Sequence, residues 1–164
     1  MRADINQIPT RARILVVDDE PAVREYQTAL LSELGHEVLT AADGAQALEL
    51  ALEKQPHLVL LDIMMPELSG IEVCRRLRAD PRTRDIRVIV VSAVDAKRAL
   101  EESVIAGADD FLAKPINALE LMVRVRSILR VRNIQDEKER LESYVKNLQA
   151  MRCLEPVGEQ ETLR

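Results

Sequence analysis

Tryptophan is missing from this chain of 164 residues, and the aromatics are only Tyr26, Phe111 and Tyr144. No array of aromatic faces exists on which successive bases could stack. Cysteine is nearly as scarce. Cys74 and Cys153 make neither a disulfide framework nor a zinc site, which suits a reducing cytosol and predicts a cytoplasmic location. Long apolar stretches are also missing. The longest aliphatic runs, such as Ile14–Val17, have four residues, far short of the ~20 that span a membrane. The N-terminus lacks the charged-then-apolar pattern of a secretion signal. Positive charge is in deficit too: 23 Lys and Arg against 28 Asp and Glu give a net charge of −5. Nucleic acid is therefore not expected as the main partner. What is present is a globular composition, 47% hydrophobic and 31% charged, at about the length of one domain.

Short apolar runs alternate with helical patterns. The runs are Ile14–Val17, Val38–Ala41, Leu58–Leu61, Val88–Val91 and Phe111–Leu112. The first, third and fourth are continuous and rich in β-branched residues, as expected of strands buried on both faces of a parallel sheet. Between them, Pro21 stands at a helix start and Gly35 at its stop. Asp43 is a helix cap ahead of Leu48, Ala51 and Leu52, and Asp95 is one ahead of Ala99, Leu100 and Val104, with Gly107 as the stop. Ser69 with Glu72, and Asn117 with Glu120, have capping-box spacing. The order is five β–α units, which right-handed crossovers bury between two helix layers: a doubly wound α/β fold.

Ligands of an open parallel sheet sit beyond the carboxyl ends of its strands. Asp18 and Asp19 end the first run, Asp62 the third and Ser92 the fourth, and Lys114-Pro115 follows the fifth. Each has an ordinary explanation alone: helix-end charge, strand terminator, turn cap, solvated lysine. Jointly these explanations are poor, because gathered carboxylates repel unless a cation offsets them. Mg²⁺ takes a few carboxylates, water and phosphate oxygens. The set suits phosphoryl transfer, with a carboxylate nucleophile, a metal, a lysine and a hydroxyl.

These blocks resemble a known family. Ile-Leu-Val-Val-Asp18-Asp19-Glu-Pro, Leu-Asp62-Ile-Met-Met-Pro66-Glu-Leu-Ser-Gly70, Val-Ser92-Ala93 and Phe111-Leu-Ala-Lys114-Pro115 are similar to the signature blocks of the bacterial two-component response-regulator receiver domain, the CheY-like family. The intervals are 43, 30 and 22 residues between Asp19, Asp62, Ser92 and Lys114. Any one block is weak evidence; four in order are highly specific. The resemblance implies a flavodoxin-like five-stranded sheet in the order 2-1-3-4-5. It implies that Asp62 accepts a phosphoryl group from a sensor histidine kinase or phosphotransfer protein. Asp18, Asp19, Asp62 and the backbone carbonyl of Met64 would hold Mg²⁺. Lys114 would pair with Asp62 at rest and with the phosphoryl oxygens afterwards. Ser92 and Phe111 would be the switch pair, reshaping the face made by helix four, strand five and helix five. The Lys114–Pro115 bond would be cis. Met64 and Val94 occupy positions that tune phosphoryl lifetime in the family, and their apolar side chains predict slow hydrolysis.

The chain reads as a flexible N-terminus at 1–12, a receiver domain at 13–132, a coiled-coil-like extension of the last helix at 133–151 and a flexible tail at 152–164. In the extension, Val131, Lys138 and Val145 recur at one seam position and Ile134, Leu141 and Leu148 at the other, seven apart. That spacing predicts a weak parallel homodimer. The residues after 132 are too few for a DNA-binding output, so direct DNA binding is not expected. Three readings compete. The first is a phosphorylation switch, which is not an enzyme beyond its own phosphoryl transfer and dephosphorylation. The second is a small-molecule phosphatase, which usually needs an acid two residues past its nucleophile, where Met64 stands. The third is a dimerising scaffold with a silent pocket. The chain is also compatible with a receiver-plus-linker piece of a larger regulator with an enzymatic output domain.

Overall fold

The structure is a computed structural model that describes residues 11–93 and 96–152. Five strands, β1 (Arg13–Val17), β2 (Glu37–Ala41), β3 (Leu58–Asp62), β4 (Arg87–Ser92) and β5 (Asp110–Ala113), alternate with five helices. These are α1 (Pro21–Glu33), α2 (Gly44–Lys54), α3 (Gly70–Ala79), α4 (Ala96–Ala106) and α5 (Ala118–Arg152). The strands form one parallel sheet in the order β2-β1-β3-β4-β5. This is the flavodoxin-like, CheY-type fold.

Strand alternation divides the core into two layers. Leu15, Val17, Val59, Leu61, Val88 and Val90 face α2, α3 and α4, packing with Ala47, Ala51, Val73, Leu77 and Ala99. Ile14, Val16, Leu58, Leu60, Ile89 and Val91 face the other way, with Leu31 of α1 and Leu121, Val125 and Leu129 of α5. All of β3 and all but the first residues of β1 and β4 are buried, while the edge strands β2 and β5 are partly covered.

Three of the expected caps form. Asp43 accepts from Gln46 N at 2.8 Å, Ser69 from Glu72 N at 3.3 Å and Asn117 from Glu120 N at 3.1 Å. Pro21 stands in the first turn of α1, and Gly35 takes φ 88° just beyond its end. Asp95 lies outside the described residues. Helix α4 departs from its hydropathy pattern: Ala99, Ser103 and Ala106 are buried, whereas Leu100, Val104 and Ile105 are exposed. Leu52 of α2 is likewise exposed, its place toward the sheet taken by Ala47 and Ala51.

The chain divides into two units at Arg130–Val131. In the second unit α5 continues to Arg152, with Lys138, Leu141 and Val145 exposed and Lys138 Nζ 3.6 Å from Glu142 Oε1. The side chains of Val131, Ile134 and Leu148 lie outside the described residues, so half of the expected seam is without a structural account. No described helix is long and apolar enough to cross a membrane.

Candidate functional site

The sheet places the polar residues by running its ladder one step past each strand. Asp18 N donates to Ala41 O at 3.2 Å, Ile63 N to Val91 O at 3.1 Å and Lys114 N to Ser92 O at 2.9 Å. Asp62 pairs with Val91, and Ser92 with Ala113. The carboxyl ends of β1, β3, β4 and β5 therefore meet at one edge, and oxygens of Asp18, Asp19 and Asp62 come within 4.8 Å of one another. Asp18, Asp62 and Ser92 are buried; Asp19 is exposed.

The ammonium of Lys114 stands between two carboxylates. Its Nζ donates to Asp18 Oδ2 at 2.8 Å and lies 3.4 Å from Asp62 Oδ2. The expected resting partner was Asp62, yet the shorter contact is with Asp18. Both carboxylates are buried side by side, and one shared cation reduces their mutual repulsion more than exclusive pairing with either would. The remaining oxygens are held by backbone: Glu20 N donates to Asp18 Oδ1 at 2.9 Å, and Met64 N to Asp62 Oδ1 at 3.3 Å.

Burial and a neighbouring charge both act on the Asp62 carboxyl. Burial and then the charge of Asp18 push its carboxyl up from 3.8 to about 6, against the opposing pull of Lys114 and the Met64 amide. For Lys114, burial by itself favours the neutral amine. The hydrogen bond to Asp18 and the charges of Asp62 and Asp18 together outweigh it, so its pKa is raised and it stays charged. Three clustered carboxylates, all hard oxygen donors, with more negative charge than one lysine offsets, fit a small divalent cation. The exposed Asp19 leaves that cluster open to water, which suits an ion that keeps part of its hydration shell.

Phe111 is half-buried in β5, against the α2–α3–α4 side of the core. The Lys114–Pro115 bond is cis. Met64 is 62% exposed, and Val94 lies outside the described residues. Two contributors escaped the sequence reading. Arg24 Nη1 donates to the backbone carbonyl of Asp18 at 2.6 Å. Its signal was available, since a helix opening at Pro21 brings residue 24 round beside the turn before it. The second is Gly70, quoted in its block but given no task.

The fold and the site define a doubly wound α/β protein with an acidic, lysine-bridged pocket at its strand ends. The family model described as the response regulator receiver domain matches residues 14–126. The chain belongs to that family. It is 44% identical over 133 residues to the response regulator PleD of Caulobacter vibrioides, covering 80% of this chain and 29% of that protein. It is 41% identical to the DNA-binding dual master transcriptional regulator RpaA of Synechocystis, covering 72% of this chain and 49% of that one. The chain thus spans half or less of these two relatives. RpaA's description as DNA-binding is in tension with the expectation of no DNA contact.

Among solved structures, the receiver domain of a sensor histidine kinase from Pseudomonas aeruginosa superposes with a TM-score of 0.67 at 31% identity, covering 72% of this chain and 97% of that one. It is described with a magnesium ion coordinated in its active-site cleft. A CheY-like receiver domain protein from Methanospirillum hungatei gives a TM-score of 0.71 at 27% identity, covering 76% and 98%.

Proposed function

We propose that this chain is a phosphorylation switch: Asp62 accepts a phosphoryl group from the phosphohistidine of a sensor kinase or phosphotransfer protein, with Mg²⁺ bound. The supporting observation is the placement of Asp62. It is a buried carboxylate beside Asp18 and Asp19, with Lys114 Nζ 3.4 Å from one of its oxygens. An oxygen of Asp62 attacks phosphorus as the phosphorus–nitrogen bond to the donor imidazole breaks, and the imidazole leaves with the electron pair. Asp18, Asp19, Asp62 and the Met64 carbonyl would hold Mg²⁺, which would supply charge neutralisation when bound. Lys114, already between Asp18 and Asp62, moves its donors to the phosphoryl oxygens. Ser92, buried at the end of β4, gives its hydroxyl to a phosphoryl oxygen, and Phe111 repacks inward.

The output is a changed α4–β5–α5 face and self-association through the extension of α5. In this reading the chain turns over no substrate other than its own phosphoryl group, and it works in the cytoplasm, where the kinase's nucleotide is found. A second reading has support as well. Because the chain spans 29% of PleD and 49% of RpaA, it fits a receiver and linker whose output is carried by further domains.

The test is intact mass after incubation with acetyl phosphate, with and without Mg²⁺, for the wild type and Asp62→Asn. One phosphoryl group gained only with Mg²⁺, and only by the wild type, is the expected result. No adduct, together with no beryllofluoride binding, would reject the switch in favour of the silent scaffold.

A further inference from the structure

The block that contains Asp62 ends in Gly70, and the loop between them folds back on its own beginning. A methyl group on Gly70 would lie 2.0 Å from the carbonyl oxygen of Asp62, 2.8 Å from its carbonyl carbon and 2.9 Å from Cα of Ile63. All three are backbone atoms, so no change of rotamer relieves the overlap. The loop is wound tightly around that contact. Ile63 O accepts from Gly70 N at 2.9 Å and from Met65 N at 3.2 Å. Pro66 O accepts from Leu68 N at 2.8 Å, which forces the intervening Glu67 to φ 66°, a left-handed value that a residue with a Cβ adopts under constraint. Ile63 N is itself tied to β4 through Val91 O at 3.1 Å. The first turn of α3 therefore rests on the peptide that carries the Asp62 side chain, and the sheet braces that peptide from the other side.

We propose that Gly70 is a positioning residue for Asp62: its missing side chain lets α3 seat on the Asp62–Ile63 peptide, and that seat sets where the Asp62 carboxylate and the Met64 peptide stand relative to Asp18 and Lys114. The inference rests on the switch reading and assigns a task to the Pro66–Gly70 part of the block. Any Cβ at position 70 must lift the helix or displace the Asp62 backbone. In either case the 3.4 Å contact of Asp62 with Lys114 and the 3.3 Å bond from Met64 N are altered.

The test separates position from stability. Gly70→Ala is compared with Gly107→Ala, which introduces a Cβ at φ +91° against the Arg78 side chain in the loop between α4 and β5. Both variants lower the melting temperature. Gly70→Ala alone weakens Mg²⁺ binding, measured by calorimetry, and slows phosphorylation by acetyl phosphate, each by about tenfold or more, a 1 Å misplacement alone being able to cost about a hundredfold in rate. Gly107→Ala leaves both within about twofold. Should Gly70→Ala not fold, Glu67→Gly is read against Glu67→Gln, which removes the same negative charge but keeps the Cβ and the tight loop. Glu67→Gly relieves the left-handed residue and loosens the loop, so Mg²⁺ binding weakens several-fold relative to Glu67→Gln while the melting temperature holds or rises. Wild-type Mg²⁺ affinity in Gly70→Ala, or equal affinity in Glu67→Gly and Glu67→Gln if the first does not fold, overturns the proposal. A wild type that binds Mg²⁺ but takes no phosphoryl group defeats the switch reading instead, and leaves the Mg²⁺ comparison readable.

Discussion

At the scale of single residues, the pocket is a place where burial and like charge work against stability. Asp62 titrates near 6 in the folded protein against 3.8 for an unperturbed carboxyl. The native state thus holds the Asp62 proton more tightly than the unfolded chain does. Stability of the metal-free protein must then fall as pH rises from about 4 to about 6 through this group, and stay lowered above that. Asp62→Asn removes the effect. In EDTA at pH 7 the variant should be more stable by about 1–2 kcal/mol, a figure reduced for water at the pocket mouth and for the lost attraction to Lys114. The difference should close near pH 4. Urea denaturation of both proteins across that range checks it. A variant less stable than wild type at pH 7 would mean that the Lys114 attraction outweighs the cost of burial and the repulsion from Asp18 together.

At the scale of elements, the strands and most caps were legible because they depend on near neighbours. A continuous run of β-branched residues can be buried on both faces only as a central strand, and β3 is buried throughout. The capping residues Asp43, Ser69 and Asn117 act on amides three positions away. Helix α4 was misleading for a physical reason. Its buried stripe is Ala99, Ser103 and Ala106, small residues suited to close packing, while the bulkier Leu100, Val104 and Ile105 are left outside. A hydropathy pattern weights bulk and so points to the wrong face.

Equally illegible was Arg78, near the end of α3. Its guanidinium donates to Gly107 O at 2.8 Å, Arg84 O at 2.9 Å, Ile86 O at 2.5 Å and Asp109 Oδ2 at 2.8 Å. It joins α3 to the segments that lead into β4 and β5. Arg78→Ala should destabilise the fold by about 1–3 kcal/mol, since three carbonyls lose their guanidinium donor together while Asp109 keeps Arg87 and the Val88 amide. Arg78→Lys should recover little, because an ammonium cannot reproduce the fork. Thermal and urea unfolding measure both.

At the scale of the whole molecule, the first unit is a five-stranded receiver domain and the second a helical segment with Leu141 and Val145 exposed. An isolated helix of this kind gains most of its stability from a partner. If the seam pairs two chains, sedimentation equilibrium of the wild type shows reversible self-association, strengthened after phosphorylation. Leu141→Glu should abolish it without lowering the melting temperature of the first unit. A wild type that remains monomeric in both forms would remove dimerisation from the mechanism.

The sequence by itself determined the fold class, the strand positions and the set of polar residues at the strand ends. Each of these follows from periodicity, local capping or a short block of residues, and so from interactions that neighbours in the chain decide. Tertiary structure alone decided the partnerships. Lys114 and Asp18 are 96 positions apart, and their 2.8 Å bond exists because parallel ladders bring the ends of β1, β3 and β5 to one edge. That the lysine lies closer to Asp18 than to Asp62, and that Gly70 leaves room for the carbonyl of Asp62, are matters of ångströms. Such distances depend on how helices seat on the sheet, and residue type and spacing do not carry them.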